Sequence, residues 1–240
     1  MRGYVEAGVA EKVRAAGGEI YAISSEPQAL AGRATPEWEL DFQTVGDPHQ
    51  EIASSCRERG WLDLYVNEAG LEFLEQSASA HADFEVTHPK GYFQPGVLAV
   101  ASDGRVLYRW RSIPTHQNLG GALERPTAAY AWRNVQRALD DPRPVDAPLD
   151  AAPELDSRGV PWPIFVSLLI ANGWFLRGRG FRSPGHIPIA ALRLLCFAAA
   201  SVGALVWLPT LPVAIGLAGW AAYIVPQVRW LGRQFQDASA

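Results

Sequence analysis

The feature that most constrains this chain is a run near its C-terminal end, from Leu194 to Val228, that contains no charged side chain. As one α-helix this run would be roughly 50 Å long at about 1.5 Å per residue, whereas the hydrocarbon core of a bilayer is only about 30 Å thick. Pro209 and Pro212 interrupt the run, and proline does not continue a helix. The sequence therefore predicts a transmembrane hairpin with helices over residues 188–208 and 212–228.

Two questions remain open for this C-terminal part, residues 159–240. A core hairpin of a soluble domain would also be apolar, although each half of the run is close to membrane length. Residues 160–176 are apolar too, but they contain two prolines, an Asn-Gly pair and the flanking tryptophans Trp162 and Trp174. Tryptophan is enriched at membrane–water interfaces, so this segment is predicted either to lie in the interface or to span the membrane.

The arginines predict how the hairpin is oriented. Positive residues flank both of its ends: Arg177, Arg179, Arg182, Arg229 and Arg233. Because cytoplasmic loops are enriched in Lys and Arg, both ends are expected in the cytoplasm, in a multi-pass membrane protein. The rest of the chain is then cytoplasmic if residues 160–176 lie on the surface, and outside if they span. No signal peptide is visible at the N-terminus, which favours the cytoplasmic side.

The N-terminal part, up to about residue 158, is polar and mixed in composition. The net charge of −4 gives no reason to expect a nucleic-acid partner. Cys56 and Cys196 lie one in each part, so a disulfide framework is not indicated. The five histidines lack metal-ligand spacing, and no Walker loop, G-x-S-x-G or dinucleotide fingerprint occurs. The sequence therefore predicts no metal and no cofactor.

Apolar periodicity in this part predicts alternating helices and strands, which is an α/β pattern. Helices are predicted over residues 4–16, 27–32, 48–59 and 126–139, the third capped by Asp47. Strands are predicted over residues 19–24, 40–45, 62–66, 97–101 and 105–111, the last two joined by an Asp103-Gly104 turn. Residues 67–94 have no clear pattern, and residues 141–158, rich in Asp, Pro and Ala, are predicted to be an extended linker.

Three of these pieces together resemble the thioredoxin-like fold in its peroxiredoxin form (alkyl hydroperoxide reductase/thiol-specific antioxidant, or redoxin). They are Gly17-Gly18 leading into the strand at 19–25, Leu40-Asp41-Phe42 followed by Gly46-Asp47-Pro48, and Gln94 to Val100 followed by the Asp103-Gly104 hairpin. The resemblance covers residues 1–140. It implies a membrane-anchored thiol-redox protein that reduces peroxides or disulfides, with membrane lipid and a thiol-reductant protein as its partners.

The chain departs from this family at its start. In the family the peroxidatic cysteine lies at the beginning of the first helix, after a strand, and this chain begins inside that helix. By resemblance the absent strand would lie between the strands at Ile20 and Val97. Three explanations stay open: a true start upstream, direct pairing of those two strands, or another chain in the gap. The alternative function is a non-catalytic redoxin-fold scaffold tethered to the membrane.

The resemblance also implies candidate site residues. Pro95, before the third core strand, is expected to be cis, since a cis X–Pro bond marks a tight functional turn. The family's pKa-lowering arginine commonly precedes this strand, where Gln94 stands, so Arg109 or Arg111 on the neighbouring strand is the candidate substitute.

One further candidate comes from the residues themselves. Cys56 lies beside Arg57 and Arg59, and positive neighbours lower the pKa of a thiol. Cys56 is therefore the candidate resolving or redox-sensing thiol, unless it is an incidental helix cysteine. Cys196, within the membrane run, is expected to serve in packing.

Overall fold

The computed structural model describes residues 1–67, 88–116, 118, 124–141, 145–156, 161–173 and 185–234. The chain divides into two compact units, and among the described residues those up to 156 belong to the first unit and those from 161 on belong to the second. This division coincides with the predicted start of the membrane-associated part. The predicted linker, however, belongs to the first unit.

The first unit is mixed α/β, as predicted. Its described helices are α1 (Arg2–Glu6), α2 (Val9–Ala15), α3 (Gln28–Ala31), α4 (Ala34–Glu37), α5 (Glu51–Glu58) and α6 (Ala128–Asp140). Its described strands are β1 (Tyr21–Ser24), β2 (Gln43–Gly46), β3 (Val66–Asn67), β4 (Tyr92–Phe93), β5 (Gly96–Val100) and β6 (Val106–Arg111). The first predicted helix is divided into α1 and α2 because Gly8 adopts a left-handed conformation (φ 59°).

The described strands pair in twos. β1 and β2 are parallel, whereas β3 with β4 and β5 with β6 are antiparallel. No sheet in the described ranges has more than two strands. The strand at Ile20 (β1) and the strand at Val97 (β5) therefore do not pair directly. Direct pairing, one of the three explanations for the absent central strand, is wrong.

The β1–β2 sheet has one covered face and one closed edge. Ala22 and Ile20 pack against a small core of Ala10, Leu40 and Phe42. At the outer edge of β2, the Gln28 amide donates to the Thr44 carbonyl (3.1 Å) and accepts from the Gly46 N–H (2.8 Å). No larger residue could replace Gly46 here, because a Cβ at this position would lie 2.5 Å from the backbone nitrogen of Gln28.

The β5–β6 hairpin has the predicted turn, where Gly104 takes a positive φ of 91°. On one face Tyr108 and Trp110 pack with Ala131 of α6. Helix α6 begins as its capping residue dictates, because the Thr127 hydroxyl accepts a hydrogen bond from the Tyr130 N–H at 3.2 Å. The predicted amphipathic helix is confirmed.

The segment predicted as a linker (141–158) is bonded to the first unit. The Asp146 carboxylate accepts from the Val106 N–H at 2.7 Å, and the Asp150 N–H donates to the Arg109 carbonyl at 2.9 Å. Residues 145–156 of this segment are extended, as expected from their composition, but Asp146 and Asp150 pair with β6. β6 is therefore bonded along both edges, and the linker prediction is corrected.

The described part of the second unit contains α7 (Trp162–Ala171), α8 (His186–Trp207) and α9 (Thr210–Gln234). α8 and α9 form the predicted hairpin, with Leu208 and Pro209 between them. Pro212 lies in the first turn of α9, where no intrahelical N–H is lost. Both helices are long and apolar enough to cross a membrane, with mean hydropathies of 2.1 and 1.5.

Candidate functional site

Helix α5 carries Cys56, and Asp47 sets the start of this helix. The buried Asp47 carboxylate accepts hydrogen bonds from the N–H groups of Glu51 (2.7 Å) and Ala53 (3.0 Å). These N–H groups have no partner within the helix, so the carboxylate satisfies them as a cap does. The prediction that Asp47 is the N-cap residue of a helix starting at residue 48 is corrected, because the helix begins at Glu51 with Gln50 at the N-cap position. The Asp47 carboxylate nevertheless bonds the first turn of this helix from further upstream.

The environment of Cys56 does not activate its thiol. Burial raises the pKa of the half-buried Cys56 thiol, the Asp47 charge raises it further, and only Arg59 lowers it. Arg57 is directed elsewhere, since its Nε lies 2.6 Å from a carboxylate oxygen of Asp63. The expectation that the two arginines lower this pKa is therefore corrected. Because the thiolate is the nucleophile, a raised pKa makes Cys56 a poor attacking group at neutral pH.

Arg109 holds a loop instead of a thiol. Its Nη1 donates to the carbonyls of Gly60 (2.7 Å) and Trp61 (3.1 Å) in the segment that follows α5. Arg111, two residues further along β6, donates to the Asp63 carbonyl in the same loop at 2.6 Å. No contact between Arg109 and the Cys56 sulfur is present in the part of the chain that the structure describes. The structure thus gives both arginines a role in fastening the 60–63 loop to β6.

Pro95 lies in an extended connection between β4 and β5. The described residues contain no cis peptide bond, so Gln94–Pro95 is trans, and the expectation of a cis proline is corrected. The Gln94 N–H donates to the Tyr65 carbonyl at 2.9 Å, and the Pro95 carbonyl accepts from Ser112 N–H at 2.7 Å. The Gln94 side chain is buried. Burial raises the pKa of the nearby Tyr92 hydroxyl, and the Gln94 side chain offsets only part of this rise.

A polar cluster that no sequence pattern indicated lies at the carboxyl end of β1. The buried Ser25 hydroxyl is 3.0 Å from His88 Nδ1 and accepts the Phe93 N–H at 3.1 Å. Burial lowers the pKa of His88, and the nearby Glu26 charge only partly offsets this effect. A neutral imidazole can accept a hydrogen bond from the Ser25 hydroxyl at Nδ1, and the Phe93 N–H donates to the same hydroxyl, so the cluster joins β1 to β4.

The described residues bring together no complete site of a known chemical type. No group of three His, Cys, Asp or Glu side chains in the described ranges is placed to hold a metal ion. Arg109 bonds the 60–63 loop instead of Cys56, and the peptide bond before Pro95 is trans. No family model, no curated protein and no solved structure matches this chain.

Proposed function

We propose that this protein is a membrane-anchored α/β binding module, tethered by a transmembrane hairpin of α8 and α9. The observation that carries the proposal is the exposure of these helices. In each helix, only 6% of the most apolar stretch of 18 residues is buried. The two helices have 22 and 25 residues, which correspond to about 33 and 37 Å, enough to cross a hydrocarbon core of about 30 Å with some tilt.

Lipid is the cover that this apolar surface fits. Residues such as Trp207, Leu211 and Val206 are among the most exposed of the large hydrophobic side chains. Soluble monomers rarely expose contiguous apolar patches of more than a few hundred Å². In addition, α7 and α8 form an open, apolar groove of about 490 Å³, lined by residues such as Ile164, Leu168 and Leu194. An acyl chain has the chemistry and dimensions to fill such a groove.

The position of α7 supports one topology over the other. With 10 residues, this helix is about 15 Å long, which is half the thickness of the hydrocarbon core. An interfacial position is therefore favoured over a span. Together with Arg229 and Arg233 after the apolar run, this supports a multi-pass hairpin whose two ends, and the first unit, lie on the cytoplasmic side.

We also propose that the first unit has a thioredoxin-like fold, and the order of its helices and strands supports this part of the proposal. The β1–β2 pair, the following α5, and the β5–β6 hairpin with α6 keep the order that the resemblance implies. The raised pKa of the Cys56 thiol favours a binding role over peroxide or disulfide reduction. Thiol-redox chemistry is the second candidate, because the Arg59 charge offsets part of this rise in pKa.

The membrane anchor is tested by placing a charge in the middle of α8, at the exposed Val202. In lipid, Val202→Lys would cost about 2.5–3.5 kcal/mol of insertion free energy, whereas on a water-exposed helix the effect is within about 0.5 kcal/mol. We expect the wild type and the control Val202→Leu to float with liposomes after an alkaline carbonate wash, and Val202→Lys to be depleted. Recovery of all three in the soluble fraction would contradict the proposal.

The two candidate functions are separated by peroxide consumption in the presence of a dithiol reductant. The binding-module proposal predicts that the wild type and Cys56→Ser consume peroxide at the same background rate. Cys196→Ser is the matched control for loss of a thiol. A wild-type rate above background that Cys56→Ser abolishes, and Cys196→Ser retains, would establish thiol chemistry in place of the binding role.

A further inference from the structure

The groove between α7 and α8 is built almost wholly from apolar side chains. Four residues of each helix line it, within residues 163–168 and 187–195, and among them only Ser167 has a polar side chain. No charged side chain from the described part of the chain lines the groove. A ligand held here finds dispersion contacts and almost no hydrogen-bonding partner, so the part of the ligand that the groove buries must be hydrocarbon.

The depth of the groove matches one leaflet of a bilayer, given the transmembrane hairpin proposed above. Ile187, the second residue of α8, lies at one end of the groove and Leu195 lies at the other. Arg177, Arg179 and Arg182 precede α8 in the sequence and favour the headgroup level. Between Ile187 and Leu195 the helix rises about 12 Å, and one leaflet of the hydrocarbon core is about 15 Å deep. The groove therefore follows the course of an acyl chain, from the headgroups toward the midplane.

The size of the groove argues against a partner helix as its occupant. Its volume is about 490 Å³. A helix with a diameter of about 10 Å would fill about 900 Å³ over the same 12 Å of depth, which is roughly twice that volume. A transmembrane helix would also continue across both leaflets, whereas the groove covers one. A helix of a second copy therefore does not fit, and a single acyl chain does.

The groove is open to the surrounding lipid and its walls are fixed. Leu195, which lines it, is 67% exposed, and the neighbouring Leu192 is 62% exposed. Val166 and Leu169 of α7 and Ala190 of α8 are buried, so packing holds both helices in place. Walls that cannot close together lose dispersion contacts if the space between them stays empty. An acyl chain from the adjacent leaflet restores these contacts.

We propose, resting on the transmembrane hairpin above, that this groove is a binding site for one phospholipid of the leaflet next to the N-terminal end of α8. One acyl chain lies along α8 between Ile187 and Leu195, and α7 covers its other side at Ser167 and Leu168. The headgroup stays at the membrane surface. This chain is held between two helices, whereas lipid elsewhere on α8 and α9 contacts a single surface. The phospholipid in the groove therefore remains on the protein when the bilayer is dissolved.

The test reconstitutes the full chain into phosphatidylcholine liposomes, dissolves them in a mild non-ionic detergent and counts the retained lipid by native mass spectrometry. The mass of the adduct distinguishes an intact phosphatidylcholine from a free fatty acid carried over from expression. We expect the wild type to retain about one phosphatidylcholine per chain, because a groove of this volume is the size of a single small-molecule site.

Three variants locate the lipid in the groove. Ala191→Trp fills the groove from α8, and Ser167→Phe fills it from α7; each is expected to retain about tenfold less phosphatidylcholine, because a close-packed groove leaves no room for a chain. Ala200→Trp is the matched control, since Ala200 is exposed and lies about two and a half turns from Ala191, on the opposite face of α8. It should change retention by about twofold at most. Circular dichroism checks that each variant is folded.

Several outcomes would overturn the inference. They are a wild type without retained lipid, an adduct with the mass of a fatty acid instead of phosphatidylcholine, equal retention in the wild type and both groove-filling variants, or an equal loss in Ala200→Trp. Failure of the membrane proposal looks different, because the chain would then not enter liposomes at all. Incorporation without a retained phospholipid refutes the groove site alone.

Discussion

Replacing Asp47 by alanine tests whether the buried cap of α5 is a main local determinant of the first unit. The Asp47 carboxylate accepts two N–H groups, from Glu51 and Ala53, at 2.7 and 3.0 Å, and it is one of the most buried charged groups in the described part of the chain. Alanine would leave both donors without an acceptor. The same carboxylate raises the pKa of the Cys56 thiol, so its removal has a second, chemical readout.

The magnitude follows from the geometry. Replacing an N-cap acid by alanine costs about 0.5–2 kcal/mol, and a buried donor left unsatisfied costs about 1–3 kcal/mol. With Ala53 buried and Glu51 near solvent, one donor can turn to water and the other cannot. We therefore expect Asp47→Ala to lower the free energy of unfolding by about 2 kcal/mol. Asp47→Asn retains one acceptor oxygen and should cost about half as much.

Urea unfolding followed by circular dichroism, with the full chain in nanodiscs, measures the loss of stability. The thiol readout is the pH profile of Cys56 alkylation in a Cys196→Ser background. Removing the negative charge in Asp47→Asn lowers the thiol pKa, so the midpoint of the profile should move to lower pH. Fraying of α5 would also lower the thiol pKa by exposing Cys56, so the shift is assigned to the charge only if circular dichroism shows no loss of helix in Asp47→Asn.

The control is an exposed carboxylate on another helix. Glu37 lies 3.2 Å from Arg33, with both side chains more than half exposed, and such i,i+4 pairs contribute only about 0.3–0.5 kcal/mol. Glu37→Ala should therefore be nearly neutral. If Asp47→Ala were as mild as this control, within about 0.5 kcal/mol of wild type, the capping account of α5 would be refuted.

Three further outcomes are expected. Arg109→Met removes two bonds to the 60–63 loop, so hydrogen exchange in that loop should accelerate, and the free energy of unfolding should fall by about 1–3 kcal/mol; unchanged protection would argue against the loop-fastening role. Because burial lowers the pKa of folded His88 below its ordinary 6.5, stability should be full above that pH and decline as pH falls toward the folded-state pKa; His88→Gln should flatten this decline, and a wild type without it would contradict the burial argument. Tyr108→Phe removes the 3.0 Å hydrogen bond to Asp150 and should cost about 1 kcal/mol in urea unfolding, with a neutral result counting against the ordering of residues 145–156 by this bond.

Features encoded in short stretches of sequence were predictable. The uncharged run with two prolines near its middle, Pro209 and Pro212, indicates a hairpin, because length and proline chemistry depend on neighbouring residues alone. The bonding of the Asp47 carboxylate to the start of α5 and the Asp103-Gly104 turn were predictable for the same reason, since each satisfies backbone geometry within a few residues. The observed bounds of α8 extend two residues before the predicted start and end one residue before the predicted end.

Features that depend on distant partners were not predictable. The segment 145–156 has the composition of a linker, and only the position of β6 shows where Asp146 and Asp150 bond. Likewise, Arg57 and Arg59 are adjacent to Cys56 in sequence, but the pKa of its thiol is set mainly by burial and by Asp47, whose charge raises it. The Ser25–His88 pair joins residues 63 positions apart, which no local pattern encodes.

The most direct test of the anchor uses single-cysteine reporters in a chain that carries Cys56→Ser and Cys196→Ser. Thr210→Cys lies at the turn between α8 and α9, and Gly185→Cys lies directly before α8, at the opposite end of the hairpin. In sealed vesicles of one orientation, a membrane-impermeant maleimide should label one reporter from outside and the other only after the vesicles are opened. Labelling of both reporters from the same side would show that the helices do not cross the bilayer as a hairpin.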